Sequence, residues 1–129
     1  MFNVSISHMI LDPRHEPVID EATLSDIFEE LGEDHSRQMM QMVERDARKR
    51  LLSLSDCVAR HDRRAIHVHA HALAGLFGHF GFARAAACAR ALEKDPEEAA
   101  GWLRLLIWTS DQSFQIVSGR IEADPRRAA

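Results

Sequence analysis

Three alternate histidines, His67, His69 and His71, run into a stretch of small and apolar residues, Ala72-Leu73-Ala74-Gly75-Leu76-Phe77-Gly78-His79-Phe80-Gly81. Imidazole is the side chain whose proton equilibrium lies nearest neutral pH, and its unprotonated nitrogen attacks electrophiles or binds metals. On a strand, all three imidazoles would share one face and could chelate zinc. On a helix only His67 and His71, four residues apart, face the same way. The helical flanks on both sides favour the second geometry. Without an evident third ligand, no metal site is expected.

At roughly 100° per residue, the face of His71 also carries Arg64 and His67 behind it and Gly75 and Gly78 ahead, flanked by Ala74. Ile66, Leu73, Leu76 and Phe80 lie nearly opposite and form the expected core stripe. Arg64 would discourage protonation of His71 and favour a bound anion such as a transferring phosphoryl group. Glycine inside a helix costs about 0.5–1 kcal/mol relative to alanine. Two glycines on the stripe opposite the core therefore suggest a surface kept clear for an external partner, the alternative being a close helix contact. His69 turns some 160° away from His71 at the same helical pitch. It must find a hydrogen-bond partner or sit at an edge.

These residues need a scaffold, and the rest of the chain supplies helices. Residues 1–19 read as an N-terminal arm: Phe2, Val4 and Ile6 alternate like a short strand, and Pro13 and Pro17 interrupt anything longer. Residues 20–124 read as the folded body and 125–129 as a polar tail. Leu24, Ile27, Phe28 and Leu31 mark a first helix that Gly32 stops. A long helix follows from Asp34 to about Ala59, with Met39, Met42, Val43, Leu51, Leu54 and Val58 inward. Asp62 is placed to cap the histidine helix, which ends at Gly78 and Gly81. Phe82–Lys94 forms an alanine-rich helix with Cys88 and Leu92 inward. Asp95-Pro96-Glu97-Glu98 then reads as the start of a last helix bearing Trp102, Leu105, Leu106, Trp108, Phe114, Val117 and Ile121. The expectation is all-α: an antiparallel four-helix bundle with an additional N-terminal helix.

Composition narrows the function classes. A chain of 129 residues at 46% hydrophobic and 28% charged is ordinary for a soluble domain with a real core. Its longest late apolar run, Leu105–Trp108, is too short for a bilayer, and no basic region precedes the apolar N-terminal residues, so neither a membrane anchor nor a signal peptide is expected. Cys57 and Cys88 lack metal-type spacing and read as reduced buried thiols of a cytoplasmic protein. The net charge of −4 disfavours nucleic acid despite Arg48-Lys49-Arg50 and Arg63-Arg64. Residues 16–34 hold eight acids and no base, and 37–64 eight bases and four acids, an asymmetry that neighbouring helices could use to pair. No nucleophile–base–acid set or nucleotide loop marks an autonomous enzyme.

His71-Ala72-Leu73-Ala74-Gly75, then Gly81, then Cys88 and Leu92-Glu93, resembles the histidine-containing phosphotransfer (HPt) domain, whose motif reads histidine, any residue, leucine or isoleucine, lysine, glycine, and a glycine six residues on. Gly81-Phe82 is similar to the corresponding dipeptide of chemotaxis-kinase phosphotransfer domains. The likeness spans about residues 60–94. It implies a four-helix bundle in which His71 accepts a phosphoryl group and Gly75 admits a partner. Those partners would be response-regulator receiver domains and a histidine or hybrid kinase. No cofactor is implied for this chain, since the divalent metal belongs to the receiver. The chain departs from the motif at Ala74, where the family has lysine; His67, Arg64 or Arg84 are then the candidates to stabilise the phosphate. A non-phosphorylated adaptor with the same docking face, or a histidine-based metal-binding bundle, are the alternative readings.

Overall fold

A computed structural model describes residues 12–123. Its helices are α1 (Glu21–Leu31), α2 (Glu33–Ala59), α3 (Arg63–His79), α4 (Ala83–Lys94) and α5 (Ala99–Ala123), with short 3-10 turns at Pro13–His15 and Pro96–Glu98. There is no strand among the described residues. Helices α2–α5 form the four-helix bundle and α1 is the additional N-terminal helix. The alternating strand-like residues Phe2, Val4 and Ile6 and the tail at 125–129 lie outside the described residues.

Local chemistry sets the boundaries. Asp20 accepts from the Thr23 hydroxyl and backbone N–H and starts α1. Gly32, at φ +80°, ends α1 and opens α2 without a linker. Asp62 accepts from the Ala65 N–H, as its capping role requires. Gly81 has two reasons to be glycine. Its φ is +80°, and an added Cβ would stand 3.1 Å from the Asp20 carbonyl. Its own carbonyl accepts the Asp20 N–H at 2.7 Å, so the α3–α4 turn is tied to the start of α1.

Alanines line the inner side of α4: Ala85, Ala86 and Ala89 are all buried. Their small side chains let α4 lie close against α3. The pairs Arg63–Glu97, His71–Glu93 and Gly78–Ala86 run in opposite directions along the two segments, which makes them antiparallel. Phe77, Phe82 and Phe114 interlock at ring separations of 5.0–6.3 Å among buried Leu54, Leu73, Leu92 and Leu106. Cys57 and Cys88 are free and buried. Burial pushes the Cys88 thiol up to about 11, against smaller opposing effects of a Thr109 hydrogen bond and the Arg84 charge.

Four local expectations differ. Residues 12–19 are more than an arm: Pro13 and Ile19 are buried, and the Glu16 carbonyl accepts from Arg84 Nε at 2.8 Å. Asp95 does not cap α5; its carboxylate accepts from Trp102 Nε1 at 3.1 Å, and a 3-10 turn intervenes before the helix begins at Ala99. Met42 and Trp108 are exposed, because the core stripes run through Met40, Val43 and Ala47 in α2 and through Leu106, Thr109 and Ser113 in α5, and at about 100° per residue both side chains fall outside them. The acids of α1 and the bases of α2 do not pair with each other; Arg37 is held within α2 by Glu33 and Asp34, and Glu21 by Arg120 of α5.

Candidate functional site

His71 stands on the outer face of α3 with 75% of its side chain exposed. Its Nδ1 is 2.9 Å from Oε2 of Glu93, across the groove on α4, and that carboxylate is only 14% exposed. A carboxylate can only accept, so the hydrogen lies on Nδ1 and the neutral ring keeps its lone pair on Nε2. The partly buried acid thus orients the ring through Nδ1, while the side chain as a whole stands largely in solvent.

His67 lies one turn earlier. Its ring stacks on that of His71 at 6.0 Å and 13°, and its Nε2 is 3.5 Å from the same Glu93 oxygen. Two imidazoles therefore converge on one carboxylate oxygen. Among the described residues, however, no group of three or more histidine, cysteine or acidic side chains is arranged to hold a metal ion.

The other expected site residues fall into two sets. Arg64, exposed on α3, and Gly75 and Gly78 share the outward face with His71. A Cβ on Gly75 would meet nothing within 4 Å, and one on Gly78 would touch only Ala86 Cβ at an ordinary 3.9 Å. Packing within the bundle therefore does not demand glycine at either position. Ala74 is different: at 7% exposure it belongs to the core, packed where the alanines of α4 approach. Arg84 is not brought to His71 either. It precedes Glu93 by nine residues, about 13 Å and half a rotation along α4, and its guanidinium serves the Glu16 carbonyl instead.

Two features escaped the sequence reading. Glu93 was visible in the motif but had no assigned role, because its partner lies 22 residues away across a turn. His69 does find a partner: Nη1 of Arg50, on α2, is 3.4 Å from its Nδ1. Arginine only donates, so this nitrogen of His69 accepts.

This arrangement suits nucleophilic attack by an exposed imidazole on an electrophile carried in by another molecule. As Nε2 forms a bond to the electrophile the ring gains positive charge, and Glu93 stands at the opposite nitrogen to stabilise it. No described helix is long and apolar enough to cross a membrane.

No curated protein and no solved structure gave a match. A family model described as Hpt domain matches residues 38–108, which takes in most of α2, all of α3 and α4 including His71 and Glu93, and the start of α5. With more than half of its length matched, the chain belongs to the Hpt domain family.

Proposed function

We propose that this protein relays a phosphoryl group through His71, between a histidine kinase or a receiver aspartate on one side and a response-regulator receiver aspartate on the other. The observation that carries the reading is the 2.9 Å contact of Glu93 with Nδ1, which leaves Nε2 as the free nucleophile. In the forward step the Nε2 lone pair attacks the phosphorus of an aspartyl phosphate. The N–P bond forms as the P–O bond to the aspartate breaks, and the carboxylate leaves with the electron pair. Glu93 offsets the resulting charge on the ring. Reversal returns the phosphoryl group to another aspartate. The divalent metal that neutralises the phosphate belongs to the receiver, and the chain itself is a transfer intermediate rather than a kinase.

A second reading, an adaptor that docks partners without being phosphorylated, draws on buried Ala74, which supplies no cation where the family has lysine. One experiment separates the two. Incubated with a phosphorylated receiver, the wild type is expected to acquire acid-labile phosphate and His71→Gln to acquire none. Equal labelling of the variant would remove His71 as the site, and binding without any labelling would favour the adaptor.

A further inference from the structure

The side of the bundle remote from His71 carries an exposed apolar surface. α3 packs on α2 and α4, and α5 packs on the same two helices from the other side, so α3 and α5 stand on the bundle's diagonal. Arg48 of α2 meets Asp111 of α5 at 3.2 Å. Further along, Arg37 and Gln41 share a groove with Ser118 and Glu122, so these two helices run antiparallel. Leu52 lies one turn after Arg48 and Ile107 one turn before Asp111, and the same register brings them side by side. Leu52 is 73% exposed, the neighbouring Trp108 59% and Ile107 37%. Three large apolar side chains gathered on the outside of two helices mark an interaction surface.

The order of residues along α5 says what fits there. Arg104, Ile107, Trp108 and Asp111 follow at three- and four-residue steps and form one outward stripe. Arg104 is exposed and in no ion pair among the described residues. Asp111 keeps 44% of its side chain exposed beside Arg48, and a carboxylate can accept from two cations at once. The cation stands three residues before Ile107 and the acid three residues after Trp108, so the stripe read backwards is its own charge complement. A Cβ at Gly101 or Gly119 would meet nothing within 4 Å, which leaves α5 bare towards both ends.

We infer that this face binds a second copy of this chain, in a two-fold dimer built on antiparallel α5 helices with Leu52 of each α2 at its margin. Turned end for end about the midpoint of Ile107 and Trp108, the second copy sets Arg104 against Asp111 of the partner subunit and Ile107 against Trp108 of the partner subunit, each contact made twice. Charge selects this occupant: a partner of one sign would meet one charge of the stripe wrongly, whereas the reversed stripe meets both correctly. His71 lies on the diagonal helix and stays open in both copies. The inference stands apart from the phosphotransfer reading.

Sedimentation velocity over a concentration series tests it. The wild-type chain should pass from monomer to dimer as concentration rises, and Trp108→Ala should weaken the dimer about thirty-fold, the loss expected for an aromatic anchor at an interface centre. Arg104→Asp and Asp111→Arg each set like charges together, so each alone should sediment as a monomer. An equimolar mixture of these two variants should dimerise again, because each supplies the charge the other lacks. Met42→Ala, an exposed apolar position about 120° around α2 from Arg48, should leave the dimer unchanged. A wild type that stays monomeric at every concentration overturns the inference, including one whose patch takes up a receiver domain or a vesicle of anionic lipid instead. So does a dimer that survives Trp108→Ala and both charge reversals. A mixture that remains monomeric would remove the Arg104–Asp111 register, and the proposal with it.

Discussion

The two flanks of α3 divide the work differently. On the α4 side His71, His67 and Glu93 are close-set, and Arg63 and Glu97 close the groove with an ion pair. On the α2 side Lys49 and Arg50 stand at an open groove and Gly75 presents bare backbone. The first flank resembles a positioned catalytic contact, in which a half-hidden acid orients one ring. The second resembles a recognition surface, unneutralised and unobstructed. Under the proposed relay an exposed nucleophile that meets a large partner needs both, and separating them onto two helices would allow one to vary without disturbing the other.

The largest effect that would break this division comes from filling the bare surface. Gly75→Leu places a side chain on the bare face of α3 where the proposed partner would approach. Receiver-driven transfer is expected to fall about 100-fold, the order that misplacement at a reacting centre produces, while phosphoramidate labelling stays near the wild-type rate. Parallel losses with both donors would mean that Gly75 supports the imidazole rather than the partner. Glu93→Ala should give the converse pattern. Both donors are expected to slow about ten-fold, equivalent to about 1.4 kcal/mol of transition-state stabilisation, with Glu93→Gln in between because the amide oxygen can still accept from Nδ1. Rates unchanged in Glu93→Ala would place the carboxylate outside the chemistry. Gly75→Ala sharpens the comparison most gently. Its added methyl meets nothing in the bundle, so thermal or urea unfolding should show a gain of about 0.5–1 kcal/mol. A loss of stability there would reveal a packing demand that the helix surface does not display.

Much of this was legible in the chain itself. Helical spacing marked Ile66, Leu73 and Phe80 as core and placed His71, Arg64 and Gly75 on the opposite side, where the structure has them, while Leu76 of the same stripe is only half-buried. Asp62 and Gly32 marked helix ends through local chemistry that needs no tertiary knowledge. What failed depended on neighbours. Ala74 sits only about 60° from His71 on the helical wheel, and only the depth to which α4 packs decides that it is buried. Arg84 lies close to the motif in sequence, but the rotation of α4 carries it to Glu16. Asp95 had the right type and place for a cap, and the indole of Trp102 claimed it instead. The Glu93–His71 contact and the α2–α3 groove both arise between helices, where a periodic pattern carries no register.

Under the proposed relay, Glu93 holds Nδ1 and so directs the phosphoryl group to the other ring nitrogen. Nitrogen–phosphorus correlation by NMR, on chain labelled with nitrogen-15 in its histidines and phosphorylated by its receiver, reads this directly. Phosphorus coupled to Nε2 of His71 is the predicted result; coupling to Nδ1 of His71, or to His67 or His69, would contradict it.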